Sequence, residues 1–425
     1  MSPIVDSEER GVSSSCSVCR ANWWGWDCVR LGNGIIELFV VPQIGGRIIQ
    51  LRLGEKELIY VNPRHRGRVY TPDENDFDSG WKNYGGSKVW PAPQGWSDKD
   101  KWPGPPDPVL DGGRYDLRII EDSSDTAAVC LESPQDHYTG LKFSRNIRIF
   151  RGSSSVRIHH EMRNVSKRAV RWAIWRVTQQ VANRDLSVFV PGNSFRQVYG
   201  DEEYLSILPA TDKDPWSLRY TDQVAKFLLN PEQGWVTTLH GETGIALVET
   251  FPIFKRVPYP DDASVEIWVN GKGSFTIHRE RINTAADPNG CDAFIETEIL
   301  SPLVKLESGE RYSFEIFWNS AVLKGDKIMA VNRYSATVKP LTVTRSKNML
   351  KVTGAYGFFH VGRLKMVSLF RTGEEGICRD LGSVSPLEAR GVNEKIRYEE
   401  GMSRIGLRLY NVEGMLLGTV EEVAL

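Results

Sequence analysis

No run in the 425-residue sequence is long and apolar enough to cross a bilayer as a helix. The densest, Ile35 to Val41, is interrupted by Glu37 and closed by Pro42. The opening residues Met1 to Arg10 carry three acidic side chains and a proline, and no apolar segment of a secretory signal follows before Trp23. Charge of one sign is also missing. Fifty-three Lys and Arg face 54 Asp and Glu, so no global basic field exists to hold a polyanion. Six cysteines, Cys16, Cys19, Cys28, Cys130, Cys291 and Cys378, are too sparse for a disulfide framework in a chain of this size. These absences exclude nucleic-acid and membrane partners and place the chain in a reducing cytoplasm. They leave the oligomeric state open.

Helical periodicity is almost absent as well. Only Asp222 to Leu229 reads as a short helix. The sequence holds no Gly-rich dinucleotide fingerprint after a strand, no Walker A loop, no nucleophile elbow and no HExxH. The pair Cys16 and Cys19 has half the spacing of a zinc site but no second pair. The acidic stretches Asp73–Asp78 and Asp287–Asp292 lack EF-hand spacing. No metal and no cofactor is expected.

What is present is β texture. Runs such as Ile35–Val41, Gly46–Leu53, Leu141–Phe150, Ala169–Gln180, Ser264–Val269, Ala293–Leu300 and Arg311–Ser320 are β-branched or alternating, and turn residues bound them. So many strands need two stacked sheets to bury one face of each. The prediction is an all-β fold. Its parts are a flexible tail over residues 1–21, a large antiparallel sandwich over 22–325, a polar linker over 326–340, and a small accessory β-sandwich over 341–425.

Aromatic residues mark where chemistry could sit. Seven of the 13 Trp precede residue 103. Trp81, Asn83, Lys88 and Trp90 lie in one long polar segment, Trp81 to Trp96, which reads either as a sugar platform or as a loop packed shut on its own aromatics. In Arg168–Gln180 a strand places Trp172 and Arg176 on one face and Trp175 and Gln179 on the other, and either face can be the concave one. In Phe294–Leu300 the same alternation puts Glu296 and Glu298 on one side, roughly 7 Å apart. Two carboxylates in one space raise one pKa toward neutrality if buried, and are ordinary surface charge if solvated.

Val41-Pro42-Gln43-Ile44-Gly45-Gly46-Arg47-Ile48-Ile49-Gln50-Leu51 resembles the opening strand pair of the galactose-mutarotase-like superfamily. Asn83-Tyr84-Gly85-Gly86, Trp90-Pro91-Ala92-Pro93 and Glu298-Ile299-Leu300-Ser301-Pro302 extend the resemblance, which spans residues 22–322. The resemblance implies a β-supersandwich whose concave sheet binds a sugar, with a glutamate as general base and a histidine as general acid. Glu298 matches the glutamate. Where that family carries its acid-bearing strand, this chain reads Trp172-Ala173-Ile174-Trp175-Arg176-Val177, without a histidine.

The combined expectation is a protein that binds a sugar or oligosaccharide. Glu298 and Glu296 are its candidate acid/base residues, as in an aldose 1-epimerase-like isomerase. Arg47, Trp81, Asn83, Lys88, Trp90, Trp172, Trp175 and Gln179 are its candidate contacts. A non-catalytic glycan-binding or sensor module is the alternative, and an assembly protein using the C-terminal sandwich is the third.

Overall fold

The computed structural model describes residues 15–70, 81–95, 101–192, 194–200, 211, 214–277, 280–284 and 292–425. Trp96, Cys291, His278, Asp73–Asp78 and most of the second acidic stretch lie outside these residues. The described residues form an all-β structure, with antiparallel sheets and only single 3-10 turns as helix. None of their helices is long and apolar enough to cross a membrane.

Six strands of a 12-stranded sheet position the site. They are β1 (Ser87–Ala92), β2 (Val170–Val181), β3 (Phe195–Tyr199), β4 (Ala225–Leu229), β5 (Val265–Val269) and β6 (Phe294–Leu300). In space they run β1-β2-β6-β5-β4-β3, so β6 sits between β2 and β5. β2, β5 and β6 are rich in β-branched and aromatic residues, which favour a pleated, half-buried surface. Beyond β1 the sheet continues through Arg47–Leu53, Ile36–Val41, Trp26–Gly32 and Ser17–Trp23. A nine-stranded sheet stacks on its inner face.

Three sequence expectations are corrected here. Asp222–Leu229 is no helix, because Ala225–Leu229 pairs with both Phe195–Tyr199 and Val265–Val269. The flexible tail is shorter than residues 1–21, since Ser17–Trp23 pairs along its length with Trp26–Gly32. The polar linker is shortened likewise, because Ala330–Val331 pairs with Ser335–Ser346. In all three cases sheet pairing overrides a local composition that reads as helix or coil.

The C-terminal part is two four-stranded sheets around their own apolar core of Leu350, Val352, Leu364, Met366, Ile405 and Leu407. It docks on the outer face of the nine-stranded sheet, where Phe359, Ile328 and Ala336 pack with Phe189, Trp235 and Val248.

The layer between the two large sheets is not purely apolar. Arg145, His160, Arg176, Thr178, Thr297 and Glu249 are all fully buried there. Arg176 pairs with Glu249, Thr297 Oγ1 donates to Glu249, and Arg176 Nη1 donates to Thr178 Oγ1 and to the Thr297 carbonyl. Arg145 Nη1 donates to the Gly46 and Ser87 carbonyls at 2.8 and 3.1 Å. Burial, with Arg145 and Arg176 nearby, holds His160 well below its usual pKa, so its ring is neutral. Removing one member of such a pair leaves an uncompensated buried charge. Glu249→Ala is therefore expected to cost about 3–5 kcal/mol in urea unfolding, and Arg176→Met with Glu249→Leu to recover most of it. A loss below about 1 kcal/mol would mean that the pair does not hold the sheets together.

Candidate functional site

The outer face of the 12-stranded sheet carries a cleft of about 580 Å³. Register fixes what faces it. Glu298 on β6 is directly opposite Glu266 on β5, and Glu296 is opposite Trp268. On the other side Val177 and Gln179 of β2 oppose Glu298 and Glu296. Trp268 in turn opposes Lys226 on β4, and Trp175 opposes Trp90 on β1. Directly paired residues share a face, so one pleat surface collects carboxylates, a lysine and indoles.

Glu298 is only 1 % exposed. Trp175 Nε1 donates to its Oε2 at 2.9 Å, and Lys226 Nζ lies 3.3 Å from the same oxygen. Lys226 Nζ also sits 2.5 Å from Glu266 Oε2, so one ammonium serves two carboxyl groups. Burial pushes the Glu298 carboxyl well above its ordinary value; Lys226 pulls it down, and Glu266 and Glu296 push it up further. For Lys226, burial opposes the charge, yet Glu266 and Glu298 together hold it above the usual lysine value. Lys226 stays protonated, and Glu298 is the carboxyl group whose protonated form the site favours.

Glu296 lies two residues along and has different partners. Its Oε1 accepts from Gln179 Nε2 at 2.7 Å and is 3.6 Å from Lys88 Nζ. Lys88 is fully buried, its Nζ 4.6 Å from the Trp81 ring centroid and 4.1 Å from that of Trp90. Burial lowers its pKa to about 8, with Glu296 acting against the shift and Arg47 adding to it.

One flank of the cleft is Trp81, Trp90 and Trp175, with Trp90 edge-on to Trp175 at 5.3 Å. Asp111 pins this flank: Trp81 Nε1 donates to it at 2.9 Å and Trp90 Nε1 at 3.2 Å. The opposite flank is Tyr199, Trp268 and Phe275, mutually packed at 5.2 to 6.2 Å. A carboxyl-lined floor between aromatic flanks offers stacking faces for sugar C–H groups and partners for hydroxyls.

Of the residues singled out in the sequence, Trp81, Trp90, Trp175, Glu296 and Glu298 line the cleft. Lys88 and Gln179 sit behind the lining and hold Glu296. Three do not reach it. Arg47 is buried against Asp111 at 2.5 Å, Asn83 caps its own turn by accepting from the Gly85 amide at 3.2 Å, and Trp172 faces the core with Nε1 donating to the Thr139 carbonyl. All three are buried within the fold and none lines the cleft.

Sequence reasoning missed Glu266, Lys226 and Trp268. In Val265-Glu266-Ile267-Trp268-Val269 the alternation was there to read, a carboxylate and an indole on one face with apolar residues on the other. Lys226 was hidden by the helical reading of its segment. Among the described residues, no group of three or more His, Cys, Asp or Glu side chains is placed to hold a metal ion.

Because Glu298 has a raised pKa in the folded protein, its protonated form is favoured there. Its contribution to stability is present at low pH and is lost as pH rises above the ordinary carboxyl value toward the raised one. Glu298→Gln stays neutral, so it is expected to melt above the wild type at pH 8, with the gap closing near pH 4.5. A gap of opposite sign at pH 8 in scanning calorimetry would show that Lys226 outweighs the burial.

No curated protein matches the chain. Similar solved structures include a TPR-domain protein from Parabacteroides distasonis, at 13% identity over 69% of this chain with a TM-score of 0.47. This chain spans only 46% of that protein. A galactose mutarotase-like protein from Clostridium acetobutylicum is 12% identical over 72% of this chain and 99% of its own, with a TM-score of 0.46. A galactose mutarotase-like protein from Lactobacillus casei is 13% identical over 69% and 99%, with a TM-score of 0.42. The profile of a domain of unknown function (DUF4380) matches residues 27–321, most of the chain. The chain therefore belongs to the DUF4380 family.

Proposed function

We propose that the concave cleft binds a sugar and that Glu298 and Glu266 move protons at its anomeric centre. The observation that carries this reading is the pair itself: two carboxyl groups directly opposed on adjacent strands, buried, bridged by Lys226 and flanked by indoles. Opening a pyranose ring needs a donor to the ring oxygen and a base at the C1 hydroxyl. Burial and the facing Glu266 favour the protonated form of Glu298, which makes it the donor and Glu266 its partner. The protonated carboxyl donates to the ring oxygen while its partner takes the hydroxyl proton. The ring C–O bond breaks, a carbonyl forms, and reclosure on the other face returns both protons. Lys226 offsets the negative charge that remains. This arrangement supplies both halves of the chemistry without a histidine. Cys16, Cys28 and Cys130, buried as free thiols, fit a protein that works in a reducing compartment such as the cytoplasm.

The 1 % exposure of Glu298 and its bond to Trp175 favour a second reading, in which the cleft binds glycans without chemistry. One-dimensional proton NMR of freshly dissolved aldoses separates the two. The enzymatic reading expects faster anomer exchange with wild type and a loss of at least about 100-fold in Glu298→Gln and Glu266→Gln. Ligand broadening without exchange leaves only the binding module. No broadening and no exchange across the panel overturns both.

A further inference from the structure

Beside the cleft lies a second pocket of about 260 Å³, lined by Ser194, Phe195, Arg196, Leu228, Asn230 and Asp262. It shares Arg196 and Leu228 with the cleft. Register places the two in line. Arg196 on β3 opposes Leu228 on β4, Leu228 opposes Glu266 on β5, and Glu266 opposes Glu298 on β6. Three strand spacings separate Arg196 from Glu298, about 14 Å along one row of the same face. A single pyranose ring seated at Glu298 does not span that distance.

The side pocket is built for hydroxyl recognition. Phe195 borders the pocket from the other pleat face, packed against Trp216 at 5.6 Å and Phe227 at 6.3 Å. Arg196 makes no ion pair among the described residues. Its Nη2 donates to the Asp261 carbonyl at 3.0 Å, which leaves further guanidinium donors. Asn230 Nδ2 donates to the Asp262 carbonyl at 2.6 Å. These bonds hold Asp261 and Asp262 at φ of 51° and 57°, left-handed backbone that non-glycine residues adopt at a cost. The outcome is that Asp261 lines the cleft and Asp262 lines the side pocket.

Charge selects among sugars. With Glu298 protonated, Asp261, Asp262, Glu266 and Glu296 across the two pockets still outnumber Arg196, Lys226 and the buried Lys88. A uronate chain meets net repulsion, and a neutral chain does not. We propose that cleft and side pocket are two subsites of one groove whose ligand is a neutral oligosaccharide of at least two pyranose rings, the second ring lying between Arg196 and Asp262. The inference rests on the sugar-binding reading of the cleft and adds to it the size and charge of the ligand.

Saturation-transfer NMR titrations of the full chain with glucose, maltose, cellobiose, galacturonate and digalacturonate test it. Maltose or cellobiose is expected to bind at least about ten-fold tighter than glucose, with no comparable gain from galacturonate to digalacturonate. Asp262→Asn keeps the side-chain shape and the Asn230 bond to the backbone, and Arg196→Gln removes the guanidinium donors. Either change is expected to bring the disaccharide-to-glucose ratio close to one. Equal affinity for glucose and both disaccharides, a ratio unchanged in both variants, or a larger gain for digalacturonate overturns the two-subsite inference while leaving sugar binding in place. A panel in which no sugar binds overturns the sugar-binding reading itself, and this inference with it.

Discussion

The central strand β6 is tied down through one face and exposes its chemistry on the other. Thr297 points inward and bonds to Glu249, which is paired with Arg176 on the neighbouring strand. Glu296 and Glu298, on either side of Thr297, point outward into the cleft. The pleat makes this unavoidable, since successive side chains alternate faces and a slip of one residue would exchange anchor and site. Anchoring Thr297 thus sets where Glu298 sits, and with it the register of Glu266 and Gln179.

The same logic separates the two lysines of the site. Lys226 reaches two carboxyl groups and keeps its charge. Lys88 reaches one, at 3.6 Å, and is enclosed by indoles, so burial prevails. Identical side chains acquire different protonation behaviour from the number of anions within reach. Glu298 faces a second carboxyl group across the ladder, whereas Glu296 faces an amide on one side and an indole on the other.

Much of the architecture was legible in the sequence because alternation is local. The run Phe294–Leu300 places Glu296 and Glu298 on one face without knowledge of any partner strand. Which residue stands opposite Glu298 is not local. Glu266 is 32 positions away in sequence and becomes a neighbour only through register. The five residues of β4 are too few to distinguish a strand from a helical turn by period, so Lys226 stayed hidden. Arg47 and Lys88 show the opposite limit. A cationic side chain in a polar segment looks like a ligand contact, and only burial reveals that its partner is Asp111 or Glu296. The open choice between the two faces of Val170–Val181 is likewise decided by the second sheet, which covers Trp172 and Arg176 and leaves Trp175 and Gln179 outside.

Asp111 gives the site an order of assembly. Its partners Arg47, Trp81 and Trp90 are 64, 30 and 21 residues distant in sequence. Closing loops of that length carries an entropic cost that only the finished contacts offset. The carboxyl-lined floor closes over longer separations still, 72 residues from Glu298 to Lys226 and 123 to Trp175, so a nascent chain carries the residues of its indole wall before it has those of its floor.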